Sequence, residues 1–124
     1  MSNAEQLEYW NGEAGRRWAR DDDTMARLLR PICEALLDHA ALEGCRNALD
    51  IGCGGGSQSI MLAQRLGESA RVLGVDISEP MLEVARRNTR VPAQGRGRSN
   101  SCRPMPPPMI SGQPVSTCCF PVSG

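Results

Sequence analysis

The sequence lacks lysine: all 14 of its basic residues are arginine, and it has a single histidine, His39. The absence of lysine indicates a gene with GC-rich codons. No run of residues approaches the roughly 20 apolar residues that a membrane-spanning helix needs. The opening segment MSNAEQLEYW has neither the basic flank nor the apolar stretch of a secretory signal. These absences predict a soluble, cytoplasmic protein that has no membrane partner.

The six cysteines do not form a recognisable metal or disulfide pattern. Cys102, Cys118 and Cys119 have no CxxC spacing and no histidine near them, so the ligand sets that bind zinc are absent. Thiols in the cytoplasm stay reduced. We therefore expect free cysteines and no metal.

Acidic residues are missing after Glu83, which divides the charge of the chain. Residues 1–83 carry a net charge of −6, and residues 84–124 carry +6. Of the 34 residues in 91–124, 16 are proline, glycine or serine, and the segment PMPPPM excludes both a helix and a central strand. The sequence therefore predicts an unstructured tail over 91–124, after no more than one folded domain.

The first ninety residues alternate between helical and strand patterns. Apolar residues at helical spacing predict a helix over 24–41 with one buried face, and they are Met25, Leu28, Leu29, Ile32, Leu36, Leu37 and Ala40. A strand over 47–51, a glycine loop, a helix over 57–66, a strand over 71–75 and a helix over 78–88 follow. This order predicts parallel strands joined by right-handed crossovers, which is an α/β fold.

The glycine loop LDIGCGGG follows the first strand, where an α/β sheet binds its ligand. A dinucleotide site requires GxGxxG. Counting from Gly52 puts Ser57 at the third glycine position, and counting from Gly54 puts Ser59 there. The loop is therefore not a dinucleotide fingerprint.

The loop has the form DxGxGxG, with Asp50, Gly52, Gly54 and Gly56, and GVDIS follows with Asp76. Both motifs resemble those of class I S-adenosylmethionine-dependent methyltransferases. An acid at the end of the first strand suits a sulfonium cation and would repel a pyrophosphate. The resemblance implies that Gly52, Cys53 and Gly54 face the methionine portion, that Asp76 binds the ribose hydroxyls, and that Ile77 lies against the adenine.

Simpler structural roles remain open for several of these residues. Gly55 and Gly56 could serve only close packing, Asp50 could cap loop amides, and Cys53 could be a small loop residue without reactivity. The remaining polar groups are expected to be solvated, and they are His39 and the helix-cap residues Asp21, Asp22 and Asp23.

The N-terminal segment EYWNGEAGRRWARDD holds both tryptophans and the only tyrosine. Glycines at 12 and 15 predict short helical pieces around a turn. The segment is similar to one that folds over the cofactor in many small-molecule methyltransferases, so residues 1–22 are interpreted as a lid-like segment. Trp10, Arg17 and Trp18 are its candidate cofactor or substrate contacts. Alternatively, the aromatic residues anchor the segment to the core.

The resemblance covers residues 5–90, and the third and fourth strands of the family do not follow. Shifting the reading frame of the tail forces alanine at Met105-Pro106, aspartate at Met109-Ile110 and leucine at Cys118-Cys119, and it permits LQADAATYDFRAASFDLLFSRFG. That string resembles the missing strands, so we hypothesise a single-base frameshift near Arg98 or Ser99. The basic tail then implies no nucleic-acid partner.

The resulting expectation is the N-terminal half of a Rossmann-like methyltransferase fold, with a truncated parallel sheet, flanking helices and a disordered tail. Residues 23–90 form the partial S-adenosylmethionine-binding core. The intact parent is expected to methylate a small molecule, and this chain to be an inactive, cofactor-binding fragment without an assigned catalytic residue. Alternatives are another nucleotide-cofactor enzyme and a non-enzymatic half-domain that associates through its open strand edge. The acceptor and the oligomeric state are not predicted.

Overall fold

The protein is described by a computed structural model that covers residues 1–67, 70–90, 109–110, 113–114 and 116–120. The elements follow the order helix, helix, helix, strand, helix, strand, helix and three short strands. Their bounds are α1 Asn3–Asn11, α2 Glu13–Arg20, α3 Asp22–His39, β1 Asn47–Ile51, α4 Ser57–Leu66, β2 Arg71–Asp76, α5 Glu79–Arg90, β3 Met109–Ile110, β4 Gln113–Pro114 and β5 Ser116–Phe120.

The N-terminal segment forms two short helices around a turn, as its glycines predict. At the start of α1, Ser2 and Glu5 form a capping box, in which each side chain accepts a hydrogen bond from the other residue's backbone amide. Gly12 separates α1 from α2, and Asp21 separates α2 from α3. The three helices therefore follow each other with single-residue breaks.

The β1–α4–β2 unit confirms the predicted α/β arrangement. β1 and β2 are parallel, with Asn47 opposite Arg71 and Ile51 opposite Val75. Gly67, at φ +80°, ends α4 and donates its backbone amide to Ala63 O, which satisfies one of the last helical carbonyls. The carboxyl ends of both strands therefore point to one edge of the sheet, where the glycine loop begins.

The hydrophobic core lies between β2, α4 and α5, which contact one another. Leu82 and Ala85 of α5 have no exposed surface, and Val75 of β2 has 1%. The core cluster also contains Leu37, Cys53, Leu62, Ala63 and Val72. Burial of apolar surface, which stabilises by roughly 25 cal/mol per Å², is thus concentrated on the β2 side of the sheet.

Helix α3 forms where the apolar spacing predicts it, but most of that stripe is not buried. Only Leu37 is inside the core, while Leu28, Ile32 and Leu36 are 54–66% exposed. Among the described elements, α3 packs mainly against α4 and α2. These helices cover one part of the stripe and leave the rest open.

Short strands also occur within residues 91–124, where we predicted no regular structure. β5 pairs antiparallel with β2, with Thr117 opposite Val75, and β3 pairs with β4. The sheet order is β1-β2-β5. The edge of β2 that β1 leaves free offers unpaired backbone groups, which is what a strand of almost any sequence can pair with. The remainder of that prediction lies outside the described residues.

Candidate functional site

A cavity of about 690 Å³ lies at the carboxyl ends of β1 and β2. Its floor is the glycine loop, and its walls come from α1, α2, α3 and the first turns of α4 and α5. This is the edge at which α/β sheets bind their ligands. The volume lies in the range typical of small-molecule sites.

The glycine loop is held in shape by the end of β2. Val75 O accepts hydrogen bonds from the backbone amides of Gly52 at 2.8 Å and Cys53 at 3.0 Å. Gly52 and Gly54 have φ of +75° and +53°, which side-chain-bearing residues rarely adopt. A Cβ built on Gly52 would meet no atom within 4 Å. The loop backbone is therefore open to the cavity at Gly52.

Asp76, at the end of β2, is bound by two backbone amides. Gly54 donates its amide to Oδ2 at 2.8 Å, and Ser78 donates its amide to Oδ1 at 2.8 Å. The carboxylate therefore joins the glycine loop to the start of α5. Because each carboxylate oxygen accepts two hydrogen bonds, both oxygens retain capacity for donors from a ligand.

Asp50, on β1, has a different environment. Its Oδ2 accepts a hydrogen bond from the hydroxyl of Ser59, a residue of α4 with no exposed surface. Burial raises the pKa of the Asp50 carboxyl, the Ser59 hydrogen bond opposes this, and the negative charge of Asp76 adds to the rise. Its described partner is thus a hydroxyl rather than a loop amide.

The lid-like segment docks on the turn between β2 and α5. Trp10 O accepts a hydrogen bond from the Ser78 hydroxyl at 2.7 Å. Asn11 donates Nδ2 to Ile77 O at 2.7 Å and accepts the Glu79 amide at 2.9 Å. These polar contacts, which sequence reasoning missed, hold α1 over one side of the cavity.

Both tryptophans line the cavity, and Arg17 does not. The rings of Trp10 and Trp18 meet edge to face with centroids 6.4 Å apart. Arg17 is exposed on α2 and lies outside the cavity wall. The structure thus brings two of the three lid candidates to the cavity.

Most of the predicted cofactor residues meet at this cavity: Asp50, Gly52, Cys53, Gly54, Asp76 and Ile77 line it. Gly56 does not, and at φ +85° it is the N-cap of α4. Gly55 lines the cavity and also serves packing, because a Cβ there would lie 1.9 Å from Asp22 Oδ1. Gly55 therefore combines a place in the cavity wall with close packing, whereas Gly56 serves as a helix cap outside the wall.

Asp22 was interpreted as a solvated helix cap, and its position differs from that interpretation. It lines the cavity, and its Oδ2 accepts a hydrogen bond from Asn88 Nδ2 at 3.1 Å. The same nitrogen donates to Gly55 O at 2.9 Å. The triplet of aspartates gave no signal for which member would face inward, because that depends on how α3 lies against the loop.

The charged residues of the cavity wall are all acidic. Asp22, Asp50 and Asp76 line it, whereas no arginine or histidine of the described chain does. Two thiols also reach the wall, and the Cys33 thiol donates to Gln58 Oε1 at 3.5 Å.

Within the described ranges, no cluster of three or more His, Cys, Asp or Glu side chains has metal-binding geometry. No helix there is long and apolar enough to span a bilayer.

Comparison with known families finds a match over about half of the chain. Residues 48–108 match a family described as "Methyltransferase domain". This segment begins in β1 and contains both motifs that line the cavity. It also continues beyond residue 90, where we placed the end of the resemblance. No solved structure matches the chain.

Three curated relatives illustrate the similarity. A nocamycin O-methyltransferase of Saccharothrix syringae is 37% identical over 63 residues, covering 51% of this chain and 22% of the relative. A trans-aconitate 2-methyltransferase of Methylobacterium radiotolerans is 46% identical over 57 residues, covering 46% and 21%. A ubiquinone biosynthesis O-methyltransferase of Stutzerimonas stutzeri is 38% identical over 90 residues, covering 69% and 37%. The chain thus spans well under half the length of each.

Proposed function

We propose that this chain, whose residues 48–108 match the methyltransferase family, is a class I S-adenosylmethionine-dependent member and binds S-adenosylmethionine in the cavity above the glycine loop. The supporting observation is the position of Asp76 at the end of β2, where the backbone amides of Gly54 and Ser78 both donate to its carboxylate. Its remaining acceptor capacity suits the two hydroxyls of a ribose, which are donors. Ile77, beside it in the wall, provides an apolar contact for the adenine.

The methionine portion would lie on the glycine loop. Gly52 leaves open space there, and α4 begins at the loop with a glycine N-cap that makes no side-chain cap. The first amides of a helix lack intrahelical partners and attract anions, so the start of α4 suits the carboxylate of the cofactor. The acidic wall suits its ammonium and sulfonium groups.

When bound, S-adenosylmethionine supplies an activated methyl group, and the protein contributes orientation and exclusion of water. Trp10 and Trp18 would close the cavity on the side opposite the loop. We assign no catalytic base. We propose a small molecule as the acceptor, because the relatives are named as methyltransferases of nocamycin, trans-aconitate and ubiquinone biosynthesis.

Methyl transfer is proposed for the protein as a whole, because the chain spans only part of its relatives. For this chain alone we propose cofactor binding without turnover. Two alternatives have distinct signatures. A dinucleotide enzyme would bind NAD better than S-adenosylmethionine. An associating half-domain would use the open edge of β1, where Leu49 and Ile51 are 54% and 68% exposed, and would show concentration-dependent complexes of defined stoichiometry.

Titration with S-adenosylmethionine, S-adenosylhomocysteine and NAD tests the proposal. Both tryptophans of the chain line the cavity, so intrinsic fluorescence reports binding and calorimetry gives the affinity. We expect saturable binding of the first two ligands only. Asp76→Asn should weaken S-adenosylmethionine binding about 100-fold, because it removes charge-assisted hydrogen bonds. Asp38→Asn, which removes a surface carboxylate that pairs with Arg65, should not. Preference for NAD, or equal effects of the two variants, would contradict the proposal.

A further inference from the structure

A third carboxylate faces the cavity besides the two that the motifs provide. Asp22 comes from the first turn of α3, far in sequence from Asp50 and Asp76, and it lines the same space. Its neighbour Asp23 is exposed and is not part of the wall. Of these two successive acids, only Asp22 is therefore in a position to contact a ligand.

Asp22 is fixed against the glycine loop. Asn88 of α5 donates one nitrogen to both Asp22 Oδ2 and Gly55 O, at 3.1 and 2.9 Å. Asp22 Oδ1 occupies the space that a side chain at position 55 would need, 1.9 Å from the ideal Cβ. Three elements of the fold thus converge to hold one carboxylate beside the loop.

The three carboxylates differ in the hydrogen bonds that they accept from described residues. Asp76 accepts a backbone amide on each oxygen, and Asp50 accepts the Ser59 hydroxyl on Oδ2. Asp22 accepts one side-chain amide on Oδ2, and no described residue donates a hydrogen bond to Oδ1. Asp22, unlike Asp76, therefore keeps an oxygen to which no described residue donates, and it is the carboxylate of the wall that comes from outside both motifs.

We propose that Asp22 determines specificity for charge: it makes the cavity favour the cationic sulfonium of S-adenosylmethionine over the neutral thioether of S-adenosylhomocysteine. This inference rests on the proposed function. The two ligands differ by one methyl group and one positive charge, while their ammonium, carboxylate, ribose and adenine are the same. A carboxylate of the same cavity wall attracts that extra charge, and no described cation of the wall opposes it. Discrimination against the thioether also favours release of the product after transfer.

The test compares the affinities of both ligands in two variants of the full chain. Asp22→Asn keeps the size of the side chain and an oxygen that can accept from Asn88. It should lower the affinity for S-adenosylmethionine about tenfold relative to that for S-adenosylhomocysteine, as expected for one charge pair at the partly solvated wall. Asp23→Asn removes the same charge from the same helix turn and should leave the affinity ratio unchanged. Circular dichroism checks that both variants keep the fold.

The affinity ratio separates charge recognition from a structural role, because loss of structure would weaken both ligands alike. Asp22→Glu retains the charge and should retain most of the preference for S-adenosylmethionine. If the affinity ratio of the two ligands is unchanged in Asp22→Asn, whether or not both affinities fall, the inference is overturned and the proposed function stands. If the unaltered chain binds neither ligand, the proposed function itself fails and this inference fails with it.

Discussion

β1 and β2 are hydrogen-bonded to each other along their length, yet only β2 belongs to the core. Val72 and Val75 of β2 are 3% and 1% exposed, whereas Leu49 and Ile51 of β1 are 54% and 68% exposed. Helices α4 and α5 both pack against β2, while the main contact of β1 is β2 itself. Strand pairing satisfies backbone groups, but burial of side chains depends on the elements that cover the sheet.

The two aspartates at these strands show the same contrast. Asp76 of β2 accepts two backbone amides and joins the glycine loop to the start of α5. Asp50 of β1 accepts a serine hydroxyl, and burial raises its pKa. Amide donors form charge-assisted hydrogen bonds with a carboxylate, and the described donor at Asp50 is a hydroxyl instead. At the β1 site, ionisation costs stability.

The largest expected effect comes from truncating the core on the β2 side. Leu82→Ala removes a fully buried side chain of α5 and should lower the free energy of unfolding by about 2–5 kcal/mol. Leu28→Ala makes the same chemical change on α3, where the side chain is 66% exposed, and should cost no more than about 0.5 kcal/mol. Urea denaturation followed by circular dichroism measures both.

Comparable losses of unfolding free energy in Leu82→Ala and Leu28→Ala would contradict the difference between the core around β2 and the exposed stripe of α3. Such a result would mean that the apolar stripe of α3 is covered in solution, by another copy or by a segment outside the described residues. Sedimentation at several concentrations distinguishes these cases. Self-association that Leu28→Ala weakens would identify another copy as the cover.

A smaller effect is expected where the lid-like segment meets the β2 side. A Cβ on Gly15 would lie 1.8 Å from Trp10 O and 2.8 Å from Ser78 Oγ, so Gly15→Ala must displace backbone. Forced repacking of this kind costs about 1–3 kcal/mol. We expect α1 and α2 to separate from α5, with a red shift of tryptophan emission and weaker ligand binding.

Gly44→Ala is the matched control for Gly15→Ala. Gly44 has φ +72° and no atom within 4 Å of a built Cβ, so the substitution costs about 1–2 kcal/mol of backbone strain without a collision. It should destabilise the chain without changing tryptophan emission. Unchanged emission in Gly15→Ala would show that the segment docks through other contacts, for example those of Asn11 with Ile77 and Glu79.

Local patterns predicted the helices and strands of the first ninety residues but not β3, β4 and β5, because periodicity, glycine positions and helix caps depend on neighbours in sequence. The strand over 47–51 and the helix over 57–66 agree with β1 and α4. Patterns did not predict which apolar faces would be covered: the stripe that suggested a buried α3 is mostly exposed. They also missed Asp22, Asn11 and Asn88, whose partners lie 66 to 68 residues away and depend on how helices dock.

The smallest effect concerns the pH dependence of Asp50. Because its pKa in the folded chain is raised above the ordinary value of 3.8, the folded state binds this proton more tightly than the unfolded state. The stabilising contribution of the protonated form is full below pH 3.8 and is lost as pH rises through the folded-state pKa. Asp50→Asn is permanently neutral and retains an oxygen for the Ser59 hydroxyl, so it should be more stable than the unaltered chain at pH 7. That advantage should shrink as pH falls toward 4, whereas Asp38→Asn, at an exposed ion pair, should show no such convergence. If Asp50→Asn is instead less stable at pH 7, the folded chain stabilises the ionised carboxylate of Asp50, and the contrast between the strands does not extend to their acids.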